Sequence, residues 1–175
     1  MPKPTQHAVI TWIPNSGDGM REARRLNARF RNYSVLRAPD KLTTSELSEY
    51  MSLIVVGHRG EFGDATQQSL ANLLHGSDCH WVVLANCSSG VATSVGALGD
   101  NELWSPAQRL ANALRIKVSG TARALTFDEV GLGLAFALTL GEVLIRSNPP
   151  SAAHLWRDYE AQSEVDEVAE GISHL

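Results

Sequence analysis

His58 and Cys87 are the two side chains whose types and surroundings suit covalent chemistry carried out together. His58 stands in GHRGEFG, at the end of the apolar run SLIVVG. Cys87 stands in NCSSG, at the end of a second apolar run, HWVVLA, 29 positions further on. A histidine beside a cysteine is the minimum apparatus for thiol nucleophilic catalysis. The imidazole takes the thiol proton or pairs with the thiolate, which lowers the cysteine pKa. It can then protonate a leaving amine. Acyl transfer also needs backbone N–H groups aimed at the developing oxyanion. The amide of Cys87 and one from the turn Arg59–Gly60 are the natural donors. Gly57, Gly60 and Gly90 let the chain turn sharply at the two strand ends and leave room for a substrate.

Positioning both groups requires two neighbouring strands that end on the same rim of a sheet. Residues 52–57 and 80–85 are continuous apolar runs of strand length, the pattern of strands buried on both faces in a parallel sheet. Between them, 64–74 reads as a helix, with Asp64 as its N-cap and Gly76 just beyond its end. Upstream, 7–13 (HAVITWI) reads as a strand stopped by Pro14, followed by the turn cluster PNSGDG. Met20, Ala23, Leu26 and Phe30 recur at helical spacing, which predicts a helix over 20–30. A short strand at 33–36 and a helical turn at 45–51, capped by Thr44 or Ser45, come next. Downstream of the Cys87 loop, a helix over 104–114 opens at Ser105-Pro106, and a short strand follows at 116–118. Residues 130–145 read as buried core, as a helix or a strand pair, and 152–170 as an acidic helix. The alternation argues an α/β fold, a mostly parallel sheet with helices on both faces. In such sheets reactive groups gather beyond the carboxyl ends of the strands.

The two apolar strands, one followed by His58-Arg59-Gly60 and the other by Asn86-Cys87, resemble the caspase-fold cysteine peptidases, in which the first ends in a His-Gly turn and the second in a small residue and Cys. That group includes caspases, legumain, separase and the autoprocessing domains of large bacterial toxins. Cys87-Ser88-Ser89-Gly90 is similar to separase-type sequence around the nucleophile, and LIVVGHRGEF is most similar to the toxin autoprocessing type. The resemblance spans about Ala8 to Glu129. It implies a caspase-like three-layer sandwich, a cysteine endopeptidase, and a His58/Cys87 dyad with no obligatory third member. It also implies an extended protein or peptide substrate, its main chain paired to a sheet edge. Asn86 and Ser88 would flank that substrate. Asp128 and Glu129, after the fifth strand, would border the pocket for the residue before the scissile bond and favour a basic side chain there. Two positions depart from the family pattern: Arg59 intervenes before Gly60, and Asn86 precedes Cys87 where Ala or Gly is usual. No metal or resident cofactor is implied. The toxin-type relatives use a small anionic activator, which here would rest on Arg21, Arg24, Arg25, Arg29 and Arg31 alone.

Other readings of the same residues remain open. The dyad would equally serve a thiol hydrolase or acyltransferase acting on a non-peptide substrate, and the fold without a working dyad would be a binding module. A phosphatase-type loop requires an arginine about six residues after the cysteine to clamp phosphate; position 93 is Thr. His75, Cys79 and His80 lack the fourth ligand of a structural zinc site. Gly131-x-Gly133 lacks the third glycine of a dinucleotide fingerprint.

The chain of 175 residues is 43% hydrophobic, enough for one domain with a core that needs no disulfide or metal staple. Residues 160–175 read as an acidic tail of that domain. A net charge of −4 disfavours bulk nucleic-acid binding. Two cysteines make no disulfide framework, so a reducing, cytoplasmic compartment is expected. Residues 1–12 do not have the build of a secretory signal, which leaves export without a cleavable signal as the other route. The apolar stretch 130–145 falls short of the roughly 20 residues that span a bilayer, so no membrane partner is expected.

Overall fold

The computed structural model describes residues 8–58, 61–85, 105–121 and 156–162. These build an α/β fold around one six-stranded sheet. The strands are β1 (Ala8–Trp12), β2 (Ser34–Leu36), β3 (Ser52–Val56), β4 (Trp81–Ala85), β5 (Lys117–Thr121) and β6 (Trp156–Tyr159). Their order across the sheet is β2-β1-β3-β4-β5-β6; the first four pairings are parallel and only β6 runs antiparallel.

Side chains of a strand alternate between faces, and the two resulting faces carry different helices. Helix α1 (Gly17–Arg29) lays Ala23 and Leu26 against Ile10, Ile54, Val56, Val83 and Ala85. On the opposite face, α2 (Thr44–Leu47), α3 (Asp64–Leu74) and α4 (Pro106–Leu114) cover Val9, Leu53, Val55, Val82 and Leu84, through Leu47, Leu70, Leu74, Leu110 and Ala111. Every residue of β3 and β4 is buried, as their unbroken apolar runs require. Each fully buried Leu, Ile or Val contributes roughly 1.5–3 kcal/mol, so these central strands hold the sheet rigid where it presents His58.

Several boundaries move relative to the sequence reading. Helix α1 begins at Gly17 rather than near Met20, because the Ser16 hydroxyl caps it by accepting from the Gly19 amide at 3.0 Å. Arg31 therefore lies past its end. Thr43, not Thr44 or Ser45, caps α2, with Oγ1 accepting from the Glu46 amide. Asp64 is the first residue of α3, and its N-cap is Gly63. The larger correction is β6. Residues Trp156–Tyr159, read as part of an acidic helix, form a strand because they complete the exposed edge of β5: Val118 pairs with Tyr159 and Thr121 with Trp156. An unpaired sheet edge leaves a row of backbone groups without partners, and satisfying that row outweighs local helix propensity. A polar chain, buried at Trp81 and Ser119 and exposed at Asp158, fastens the join, with Trp81 Nε1 donating to Ser119 Oγ at 2.8 Å and Ser119 Oγ donating to Asp158.

The readings of 130–145 and of the acidic tail 160–175 beyond residue 162 lie outside the described residues. Among the described residues, no helix is long and apolar enough to cross a membrane.

Candidate functional site

Strand β1 sits at the centre of a reversal in strand order: the chain moves from β1 outward to β2, then crosses back to β3 on the other side. In open α/β sheets the crevice beyond the carboxyl ends at such a point is where ligands bind. His58 lies there, two residues past the end of β3.

Three connections build this rim. The Val56 carbonyl accepts from the Ile13 amide at 2.9 Å, which ties the end of β3 to the chain leaving β1. Gly19, in the first turn of α1, sits so close that a Cβ there would meet the Val56 oxygen and the Ser16 hydroxyl at 2.8 Å each. The Ser16 hydroxyl donates to Glu61 Oε1 at 2.6 Å, and the same carboxylate oxygen accepts from the His58 amide at 2.8 Å. The Glu61 amide in turn donates to the His58 carbonyl at 3.1 Å. One carboxylate thus fastens the turn carrying His58 to the start of α1.

The His58 ring is oriented from the same helix. Its Nε2 lies 2.9 Å from Asp18 Oδ2. The His58 ring, followed by Arg21, holds the Asp18 carboxyl below its ordinary value of 3.8. Asp18 is therefore ionised near neutrality and can only accept, so Nε2 carries the proton. In the neutral ring the basic lone pair is then on Nδ1. Position in the first turn of α1 also suits a carboxylate electrostatically. Both side chains are about half exposed, at 49% for His58 and 47% for Asp18, so solvent screens their attraction strongly. The contact orients more than it stabilises.

Among the residues singled out from the sequence, His58 stands at the expected rim. Arg59, Gly60, Asn86, Cys87, Ser88, Asp128 and Glu129 lie outside the described residues. Strand β4, which leads to Cys87, ends at Ala85 beside β3, and Gly57 donates its amide to the Ala85 carbonyl. Cys79 lies before β4, at the opposite end of that strand, 3% exposed and packed against the Met51 and Trp81 carbonyls. Three of the four arginines of α1 already hold local partners: Arg21 pairs with Asp18, Arg25 with Glu22 at 3.8 Å, and Arg29 lies over the Phe30 ring.

Sequence reasoning did not single out Ser16, Asp18 or Glu61. The available signal was the turn cluster after β1, since that strand also ends on the reactive rim of the sheet.

No protein-family model matches this sequence, nor does any curated protein sequence. Among solved structures, a flavodoxin of Streptococcus pneumoniae TIGR4 is similar at 22% identity with a TM-score of 0.32; the match covers 43% of this chain and 59% of that flavodoxin's length.

Proposed function

We propose that the protein is a cysteine endopeptidase in which Cys87 is the nucleophile and His58 the proton carrier. The observation that supports this most is the register of the two central strands. Ser52 faces Trp81 and Val56 faces Ala85 in a parallel pair, a constant offset of 29 positions. His58 and Cys87 share that same offset. They follow by two residues Val56 and Ala85, which both face α1. A dyad on neighbouring strands requires this matching.

In the reaction, the Cys87 thiolate attacks the scissile carbonyl carbon while His58 holds the proton taken from the thiol. The tetrahedral intermediate collapses as the C–N bond breaks, and the imidazolium gives its proton to the departing amine. Water, deprotonated by the imidazole, then attacks the thioester and releases the acid and the thiol. The amide of Cys87, with that of Gly60 or Arg59, stabilises the oxyanion. Asp18 acts as a positioning residue: it accepts from Nε2 and so fixes the ring's tautomer and orientation. In this reading Asp128 and Glu129 border the pocket for the residue before the scissile bond, and Asn86 and Ser88 bind the substrate.

The test is the rate of iodoacetamide labelling across pH, mapped to each cysteine, in the wild type and in His58→Ala. Rapid labelling of Cys87 at pH 6–7, lost in His58→Ala while Cys79 stays slow, is the expected outcome. A Cys87 that reacts no faster than an ordinary thiol overturns the reading. A peptide-library cleavage profile then separates a peptidase from a hydrolase of other acyl substrates.

A further inference from the structure

Glu61 holds the His58 backbone by both of its polar groups. Its carboxylate oxygen Oε1 accepts from the His58 amide at 2.8 Å, and its own amide donates to the His58 carbonyl at 3.1 Å. The same Oε1 accepts from the Ser16 hydroxyl at 2.6 Å. Ser16 is 2% exposed, and its hydroxyl oxygen also accepts from the Gly19 amide at 3.0 Å. The turn that carries His58 is therefore anchored, through one side-chain oxygen, to the buried cap of α1.

Two features of this arrangement bear on its use. Both side-chain donors reach the same oxygen, and an amide carbonyl oxygen offers two lone pairs as a carboxylate oxygen does. The task therefore asks for an oxygen at the right reach and not for a negative charge. These contacts also go to the His58 main chain, whereas Asp18 meets the ring at Nε2. One acidic residue fixes where the imidazole is attached, and the other fixes how it is turned. Attachment matters to catalysis, since a misplacement of about 1 Å can cost about 100-fold in rate. The Gly57, His58 and Glu61 amides all donate to protein acceptors, so none of the three is left to bind an oxyanion.

We infer that Glu61 is a second positioning residue, which by the reach of its side chain and not by its charge sets His58 where proton exchange with Cys87 requires it. The inference rests on the peptidase reading and assigns to that reaction a residue that touches neither the thiol nor the substrate.

Two variants of the full chain pull reach and charge apart. Glu61→Gln keeps a carbonyl oxygen at the same reach and loses the charge. Glu61→Asp keeps the charge and draws the oxygen back by about 1.5 Å, one carbon–carbon bond, which takes it out of hydrogen-bond range of the two donors. Iodoacetamide labelling at pH 6.5 is mapped to both cysteines. Cys87 should label in Glu61→Gln within about two-fold of the wild-type rate, and in Glu61→Asp about ten-fold or more below it. Cys79 is buried and reports any loosening of the fold, so it should stay slow in both variants. A second readout does not need the thiol: the nitrogen shifts of the His58 ring, followed by NMR in alkaline solution, give the share of the Nε2–H tautomer. That share should match the wild type in Glu61→Gln and fall in Glu61→Asp, because a displaced ring leaves Asp18. Wild-type labelling of Cys87 in Glu61→Asp overturns the proposal, as does a Glu61→Gln that behaves like Glu61→Asp. So does a Cys79 that labels faster in the variant that slows Cys87. If wild-type Cys87 reacts no faster than an ordinary thiol, the peptidase reading falls by itself; the tautomer share then decides whether Glu61 positions His58, and no change in Glu61→Asp overturns that too.

Discussion

Asp18 and His58 lie 40 positions apart in sequence, yet Oδ2 of one and Nε2 of the other meet at 2.9 Å. The contact exists because two different constraints end at one point: Ser16 starts α1 beside β3, and Glu61 fastens the His58 turn to Ser16. An oriented imidazole is the scarce requirement of thiol catalysis, and here it is met by groups on a rigid sheet rim.

The first consequence concerns the reactivity of Cys87. Exposed ion pairs are worth about 0.2–1 kcal/mol, so Asp18→Ala should slow alkylation of Cys87 near neutral pH by no more than about five-fold. Under the proposed dyad His58→Ala should slow it far more, since it removes the proposed base itself. Measuring both rates at pH 6.5 checks the order. Equal losses in the two variants would mean that Asp18 does more than orient the ring.

A second consequence follows from the depressed Asp18 carboxyl, held down chiefly by its hydrogen bond to His58 and then by Arg21. A carboxyl whose folded pKa lies below its unfolded value binds fewer protons when folded. Its stabilising contribution is therefore complete above the ordinary value of 3.8 and is lost as pH falls through the lower folded value. Urea unfolding of wild type and Asp18→Asn should differ most near pH 5 to 6 and converge toward pH 2. A gap that widens on acidification would contradict the sign.

The division between what was readable from the sequence and what was not has physical causes. Strands β3 and β4 were plain because burial on both faces demands unbroken apolar runs, and the placement of His58 followed from the end of one such run. Trp156–Tyr159 was read wrongly because its strand conformation depends on β5, nearly forty residues upstream; no local pattern carries that information. Asp18 and Glu61 were missed for a related reason. Acidic residues in turns are ordinary on a surface, and only the crossover that brings β1 beside β3 sets Asp18 on the His58 ring and Glu61 between the His58 amide and Ser16.

Helix α1 offers a local test of how tightly the rim is packed. Alanine is favoured over glycine inside a helix by about 1 kcal/mol, so substitution at either Gly17 or Gly19 should help on propensity alone. At Gly17 a Cβ meets nothing within 4 Å, and Gly17→Ala should be neutral or slightly stabilising. At Gly19 it would meet the Val56 oxygen, a backbone atom, at 2.8 Å. Overpacking costs about 1–3 kcal/mol, which exceeds the gain, so Gly19→Ala should be the destabilising one. Chemical denaturation of the two variants side by side checks this. Equal stabilities would mean that α1 slides away from β3 without cost.

The chain Trp81–Ser119–Asp158 gives the last prediction, because its two hydrogen bonds differ in exposure. Trp81 is 4% exposed and Ser119 fully buried, whereas Asp158 is exposed at the edge strand. Ser119→Ala leaves the indole N–H without an acceptor in a site closed to water. Such a donor costs roughly 1–3 kcal/mol, and the small void left by the hydroxyl adds little. Asp158→Ala removes an acceptor that solvent replaces, and the Ser119 hydroxyl still accepts from Trp81, so the cost should stay below about 1 kcal/mol. Denaturant unfolding should therefore rank Ser119→Ala well below Asp158→Ala in stability. Amide exchange adds a second readout: in Asp158→Ala the faster exchange should be confined to β6, because its backbone pairing to β5 is what the side-chain contact fastens. A ranking in the opposite order would mean that the edge carboxylate, and not the buried indole, carries the energetic weight of the join.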